Sequence, residues 1–85
     1  MKLTKAQRDV LNYLARVKEY DGPPTCPEIS RALGHASYWA ATKVAAMAKI
    51  GLVERLGVSF TGGYCYRITE AGRQALDTSG GANET

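Results

Sequence analysis

The stretch Thr25-Cys26-Pro27-Glu28-Ile29-Ser30-Arg31-Ala32-Leu33-Gly34-His35-Ala36-Ser37-Tyr38-Trp39-Ala40-Ala41-Thr42-Lys43-Val44-Ala45-Ala46-Met47-Ala48-Lys49-Ile50 decides the fold, because it encodes a helix, a stop and a second helix in close succession. Thr25 three positions before Glu28 makes a capping box, and Pro27 falls in the first turn, where its missing amide proton costs nothing. Ile29, Ala32 and Leu33 predict the inner face of a short helix, which Gly34 ends by supplying a left-handed residue. His35-Ala36 leads to Ser37, the expected N-cap of a longer helix over residues 37–50 that Gly51 stops. Ala40, Val44 and Met47 recur at helical spacing and are expected to face the core. Tyr38, Trp39, Thr42, Ala45, Ala46 and Lys49 fall on the opposite side. That outer face carries no acid and consists of small or hydrogen-bonding groups plus two large aromatics.

Upstream, Thr4-Lys5-Ala6-Gln7 is a second capping box, followed by Val10, Leu11, Leu14 and Val17 at helical spacing. A first helix over residues 5–19 is expected, ended by Asp21-Gly22-Pro23-Pro24, whose prolines hold the chain extended. Downstream, residues 52–56 read as a strand. Val58-Ser59-Phe60 and Tyr64-Cys65-Tyr66-Arg67-Ile68 alternate around Thr61-Gly62-Gly63, the signal of a hairpin. Thr69 is placed to cap a last helix over residues 70–77 that buries Ala71, Ala75 and Leu76. One domain is expected over residues 1–77, with a disordered tail over 78–85.

Length and composition narrow the function. At 85 residues the chain holds one small domain, with little room for a deep enclosed catalytic cavity. No apolar run approaches a membrane span, and Met1-Lys2-Leu3-Thr4-Lys5 turns polar at once, unlike a signal peptide. A cytoplasmic protein with no membrane partner is the expectation. One histidine and two cysteines cannot build a zinc site without carboxylates, so no metal or other cofactor is expected. Cys26 and Cys65 suit a reducing compartment and read as small buried hydrophobes rather than a redox pair. Ser, His and acidic residues show no nucleophile–base arrangement, so the chain is not expected to be an enzyme and has no catalytic residue to name. The formal net charge is +3, and its placement is uneven: between Ile29 and Thr69, Glu54 is the one acid against Arg31, Lys43, Lys49, Arg55 and Arg67. A polyanion facing this stretch would meet a largely unopposed positive field.

Helix, helix, short glycine-containing turn, helix and hairpin is the order of an α+β winged helix-turn-helix: a three-helix core, a two- or three-stranded antiparallel wing and a short C-terminal helix. In that arrangement the helix over residues 37–50 enters the major groove of double-stranded DNA, which is about 12 Å wide, and the hairpin over 52–68 is the wing. Thr42 is placed to contact bases. Tyr38 and Trp39 can touch thymine methyls, sugars or phosphates; alternatively, one of them fills a gap beneath the wing or lies in a dimer interface. Ser37 can bind phosphate at the helix start as well as cap it. Lys43 at the margin of the buried stripe can snorkel to a phosphate or remain solvated. Arg31, Lys49, Arg55 and Arg67 are the remaining phosphate candidates.

Two runs carry a family likeness. Leu3-Thr4-Lys5-Ala6-Gln7-Arg8-Asp9-Val10-Leu11, Gly22-Pro23-Pro24-Thr25, Glu28-Ile29 and Leu33-Gly34 resemble the DNA-binding domain of LexA-type repressors. Ile50-Gly51-Leu52-Val53-Glu54-Arg55 and Tyr66-Arg67-Ile68-Thr69-Glu70-Ala71-Gly72-Arg73 are similar to MarR-type winged-helix regulators. The resemblance implies a DNA-binding transcriptional regulator, usually dimeric, of phage or bacterial type, with repression one expected mode. Ser37-Tyr38-Trp39-Ala40-Ala41-Thr42-Lys43 departs from the base-reading residues of LexA-type repressors, so no operator follows. Nor is their self-cleaving protease activity expected of this chain. The same fold also serves protein–protein interaction and architectural roles on DNA, as in recombination or packaging, and an apolar outer face with two aromatics is compatible with either.

Overall fold

Both capping boxes form in the computed structural model, which describes residues 3–17, 22–58 and 63–80. The Thr4 hydroxyl accepts the Gln7 amide proton at 3.1 Å while the Gln7 side chain accepts from the Thr4 amide at 2.9 Å. Helix α1 (Lys5–Arg16) follows, with Val10, Leu11 and Leu14 buried along one face. It ends before the expected residue 19, because Val17 turns extended; residues 18–21 lie outside the described residues. Thr25 opens α2 (Cys26–Ala32) in the same reciprocal way with Glu28.

The turn after α2 shows why glycine is needed at position 34. Gly34 has a φ of +80°. Its amide bonds the Arg31 carbonyl at 3.0 Å and the next amide, His35, bonds the Ser30 carbonyl at 2.9 Å. This pair of bonds satisfies carbonyls that a helix end leaves open. The same closure recurs after α3 (Trp39–Lys49), with Gly51 at φ +84°, its amide on Ala48 and the Leu52 amide on Met47.

Two expectations are corrected at the helices. Ser37 is not the N-cap of α3; Tyr38 is, and Ser37 sits exposed in the preceding turn. Ala32 is exposed, because the inner face of α2 runs from Ile29 through Leu33 to Ser30, leaving Ala32 about 100° of helical rotation from Leu33 at its middle. Ser30 takes the buried place instead. Ala40, Val44 and Met47 are fully buried, as their spacing predicts.

Strand β1 (Val53–Val58) pairs antiparallel with β2 (Tyr64–Ile68), with Val53 opposite Ile68, Glu54 opposite Arg67 and Arg55 opposite Tyr66. An irregularity after Arg55 brings Val58 opposite Tyr64, so the two expected strand runs join into one through Gly57. The hairpin residues 59–62 lie outside the described residues. Only Val53 of β1 is buried, and the rest of the strand stands clear of the core as a wing. The wing is two-stranded; on the other side of β2, Thr25 bridges Cys65 and the Tyr66 amide bonds the Pro24 carbonyl at 3.0 Å.

Thr69 caps α4 (Glu70–Ala75), its hydroxyl accepting the Gly72 amide proton at 3.1 Å. The buried face is Gly72 and Ala75, with Leu76 partly covered against the core; Ala71, expected inside, is exposed. Gly72 is the point of closest approach, since a Cβ there would collide with the Leu52 carbonyl. The chain continues through a π-helical turn, Leu76–Gly80; residues 81–85 lie outside the described residues. The architecture is an α+β winged helix. Among the described residues no helix is long and apolar enough to cross a membrane.

Candidate nucleic-acid interface

The burial of Ala40, Val44 and Met47 rotates the other side of α3 to the surface. Ala41, Thr42, Ala45, Ala46 and Lys49 are all exposed there, and Tyr38 at the helix start is 79% exposed. No acid interrupts this face. It presents one threonine hydroxyl, a phenol, an ammonium and a floor of methyl groups, a surface low enough to approach base edges closely and without charge repulsion.

Trp39 departs from the expected outer face. It is half-buried and packs against the core. Its indole stacks on His35 with centroids 3.9 Å apart and planes 11° from parallel. The Lys43 ammonium stands 4.6 Å from the indole centroid and donates to the Trp39 carbonyl at 3.4 Å. Trp39 is the first residue of α3, and His35 stands four residues before it in the preceding turn. Trp39 therefore fills the angle between turn and helix, and its ring holds Lys43. His35, Trp39 and Lys43 recur at four-residue spacing, and that is the signal in the sequence from which their contact is readable. The side chain of Lys43 is half-buried, in keeping with its place at the edge of the apolar stripe.

On the wing, Arg55 and Arg67 are both exposed but differ in what they touch. The Arg55 guanidinium lies 4.4 Å from the Tyr64 ring centroid. The Arg67 Nε donates to Glu54 Oε1 at 2.9 Å across the strand pair. Both partners of this ion pair are largely solvated, at 60% and 49% exposure, so the pair is worth only about 0–1 kcal/mol. A phosphate could displace Glu54 at little cost. Lys49 and Arg55 come together along the cleft between α3 and β1, which Ala45, Ala48, Glu54 and Tyr66 also line. Arg31 lies apart from that cleft, in a groove between α2 and the end of α1 with Tyr13, Arg16 and Glu28. Tyr64 beneath Arg55 was not legible in the sequence, because the contact follows from the strand register, which sets Arg55 opposite Tyr66 and so diagonal to Tyr64.

The cysteines are free and both half-buried rather than enclosed. Burial pushes the Cys26 thiol above its ordinary range, which makes it a poor nucleophile. The Tyr66 phenol is also raised, first by burial, with smaller contributions from Cys26 and Tyr64 opposed by Arg55.

Comparison with known proteins agrees with this geometry. The model of the LexA DNA-binding domain matches residues 1–58. Among solved structures, the chain is similar to the transcriptional repressor CouR bound to a 23-mer DNA duplex, at 25% identity and a TM-score of 0.73, covering 91% of this chain and 52% of that one. A MepR point mutant from S. aureus bound to an oligodeoxyribonucleotide matches with a TM-score of 0.74 at 18% identity, covering 88% and 54%. The S. aureus MepR transcription regulator matches with a TM-score of 0.73 at 18% identity, covering 89% and 54%. The MepR likeness is one of fold. This chain spans about half the length of the solved chains it matches. No curated protein sequence matches it significantly.

Proposed function

This chain belongs to the LexA DNA-binding domain family, and from that premise we propose that it is a sequence-specific transcriptional regulator of double-stranded DNA. The observation that carries the reading is the exposed, acid-free side of α3. Its width suits the major groove, and Thr42 is the residue best placed for a base edge, with Tyr38 at the leading end. Lys49 and Arg55 flank the cleft behind it and neutralise phosphates on the strand that passes between helix and wing; Arg67 joins them when phosphate displaces Glu54. Ser37, exposed just before α3, and Lys43, held on Trp39, contact phosphate at the start of the helix. Arg31 is the outlying member of the set and reaches only the flanking backbone. Trp39 supports this surface from behind.

A single helix reads only a few base pairs, so useful affinity calls for two copies on a paired site, and the acting form is a homodimer. Repression in the cytoplasm of a bacterium, or from a phage genome, is the role that fits the family and the CouR likeness.

The experiment is a mobility-shift titration against random duplex at several salt concentrations, followed by selection of bound duplexes from a random pool. Binding that weakens steeply with salt, and a selected consensus with two half-sites, is expected. Absence of any shift near ~50 mM salt, where counterion release favours binding, would contradict the reading and leave a protein partner as the ligand of this face. A salt-dependent shift with no consensus would make it an architectural DNA-binding protein.

A further inference from the structure

Ser30 is fully buried in a core made otherwise almost wholly of hydrocarbon side chains. Its hydroxyl donates to the Cys26 carbonyl at 2.9 Å and accepts the Ala40 amide proton at 2.9 Å. Ala40 is the second residue of α3, one of the donors that a helix start leaves without an intrahelical partner. Tyr38, the N-cap residue of α3, makes no capping bond with its side chain. A cap for α3 thus comes from the helix before it. The Ser30 carbonyl also accepts the amides of Leu33 at 3.2 Å and His35 at 2.9 Å in the intervening turn. First helix, turn and second helix of the motif are all bonded to this one residue.

We propose that Ser30 is a positioning residue for sequence recognition: its buried hydroxyl fixes the first turn of α3 against α2 and so sets the angle at which α3 meets base edges. The inference rests on the DNA-binding reading above. Hydrogen bonds to bases are directional and, from a side chain as short as Thr42, leave little tolerance for a shifted helix. Phosphate contacts from Lys49 and Arg55 run through long flexible side chains and adapt. Loosening α3 therefore reduces discrimination before it reduces attraction.

The test compares the full chain with Ser30→Ala and Ser30→Thr, using a duplex that the wild-type chain selects from a random pool and a random duplex as probes. Ser30→Ala is expected to lower affinity for the selected duplex on the order of tenfold, comparable to one mismatched base pair. Affinity for random duplex and the salt slope stay within about twofold. In the free protein, hydrogen exchange at the Ala40 amide accelerates more than at neighbouring α3 amides. Ser30→Thr keeps the hydroxyl and restores both Ala40 protection and discrimination; if its added methyl unfolds the chain, the Ser30→Ala measurements decide alone. Equal losses on both duplexes in proportion to the unfolded fraction, or unchanged Ala40 exchange in Ser30→Ala, would overturn the proposal. A wild-type chain that selects no duplex would remove the DNA reading along with it, whereas a selective wild type with an equally selective Ser30→Ala removes this proposal alone.

Discussion

Glu54 is the residue at which the electrostatics of the wing turn. It is the one acid between Ile29 and Thr69, and it holds the Arg67 guanidinium across the strand pair. Removing it takes a negative charge from the wing and frees a positive one, with little loss of stability because both partners are solvated. Glu54→Ala should therefore bind random duplex more tightly, because Arg67 reaches phosphate without first leaving Glu54, while the dependence of log affinity on log salt, which already counts Arg67, stays nearly the same. Fluorescence anisotropy at four salt concentrations measures both quantities. An unchanged affinity would mean that the wing does not approach the phosphates. Trp39 illustrates a different point at this scale. Its position on a helical wheel puts it outside, yet a large ring at a helix start can fold back onto the turn before it, and His35 offers a flat partner there.

At the scale of elements, the sequence states local closure well and packing contacts less well. Thr4, Thr25 and Thr69 each cap the helix expected of them, and Gly34 and Gly51 each close one, because these signals involve residues only a few positions apart. The inner face of α3 was legible for the same reason, since a regular period needs no knowledge of the partner. The faces of the short α2 and α4 were legible only in part: Ile29, Leu33, Ala75 and Leu76 face the core as expected, and Ala32 and Ala71 do not. With so few turns, the buried side is chosen by what stands opposite, and Ser30 and Gly72 displace Ala32 and Ala71 because of Ala40 and the Leu52 carbonyl respectively. The candidate surface was legible as a face of α3, but the separation of Arg31 from it and the pairing of Arg67 with Glu54 depend on tertiary structure. Gly72→Ala is expected to destabilise the fold more than Gly34→Ala. The first forces a methyl against backbone, at about 1–3 kcal/mol or more. The second meets open space and costs only the left-handed conformation, about 1–2 kcal/mol. Urea unfolding of the two variants checks the order, and a milder Gly72→Ala would show that α4 can move away from Leu52.

For the molecule as a whole, the core serves to hold one helix face outward beside a wing. α1 and α2 pack on α3 from within, β1 and β2 extend from its far end, and α4 closes over Leu52. On the proposed reading, DNA lies along the open side of α3. An amide-resolved NMR titration of the chain with its selected duplex tests this most directly, because it reads every element at once. The largest shift changes are expected at Tyr38, Thr42, Ala45, Ala46 and Lys49, with a second group at Arg55 and Arg67 on the wing. Changes concentrated on α1 or α4, with residues 38–49 unmoved, would contradict it.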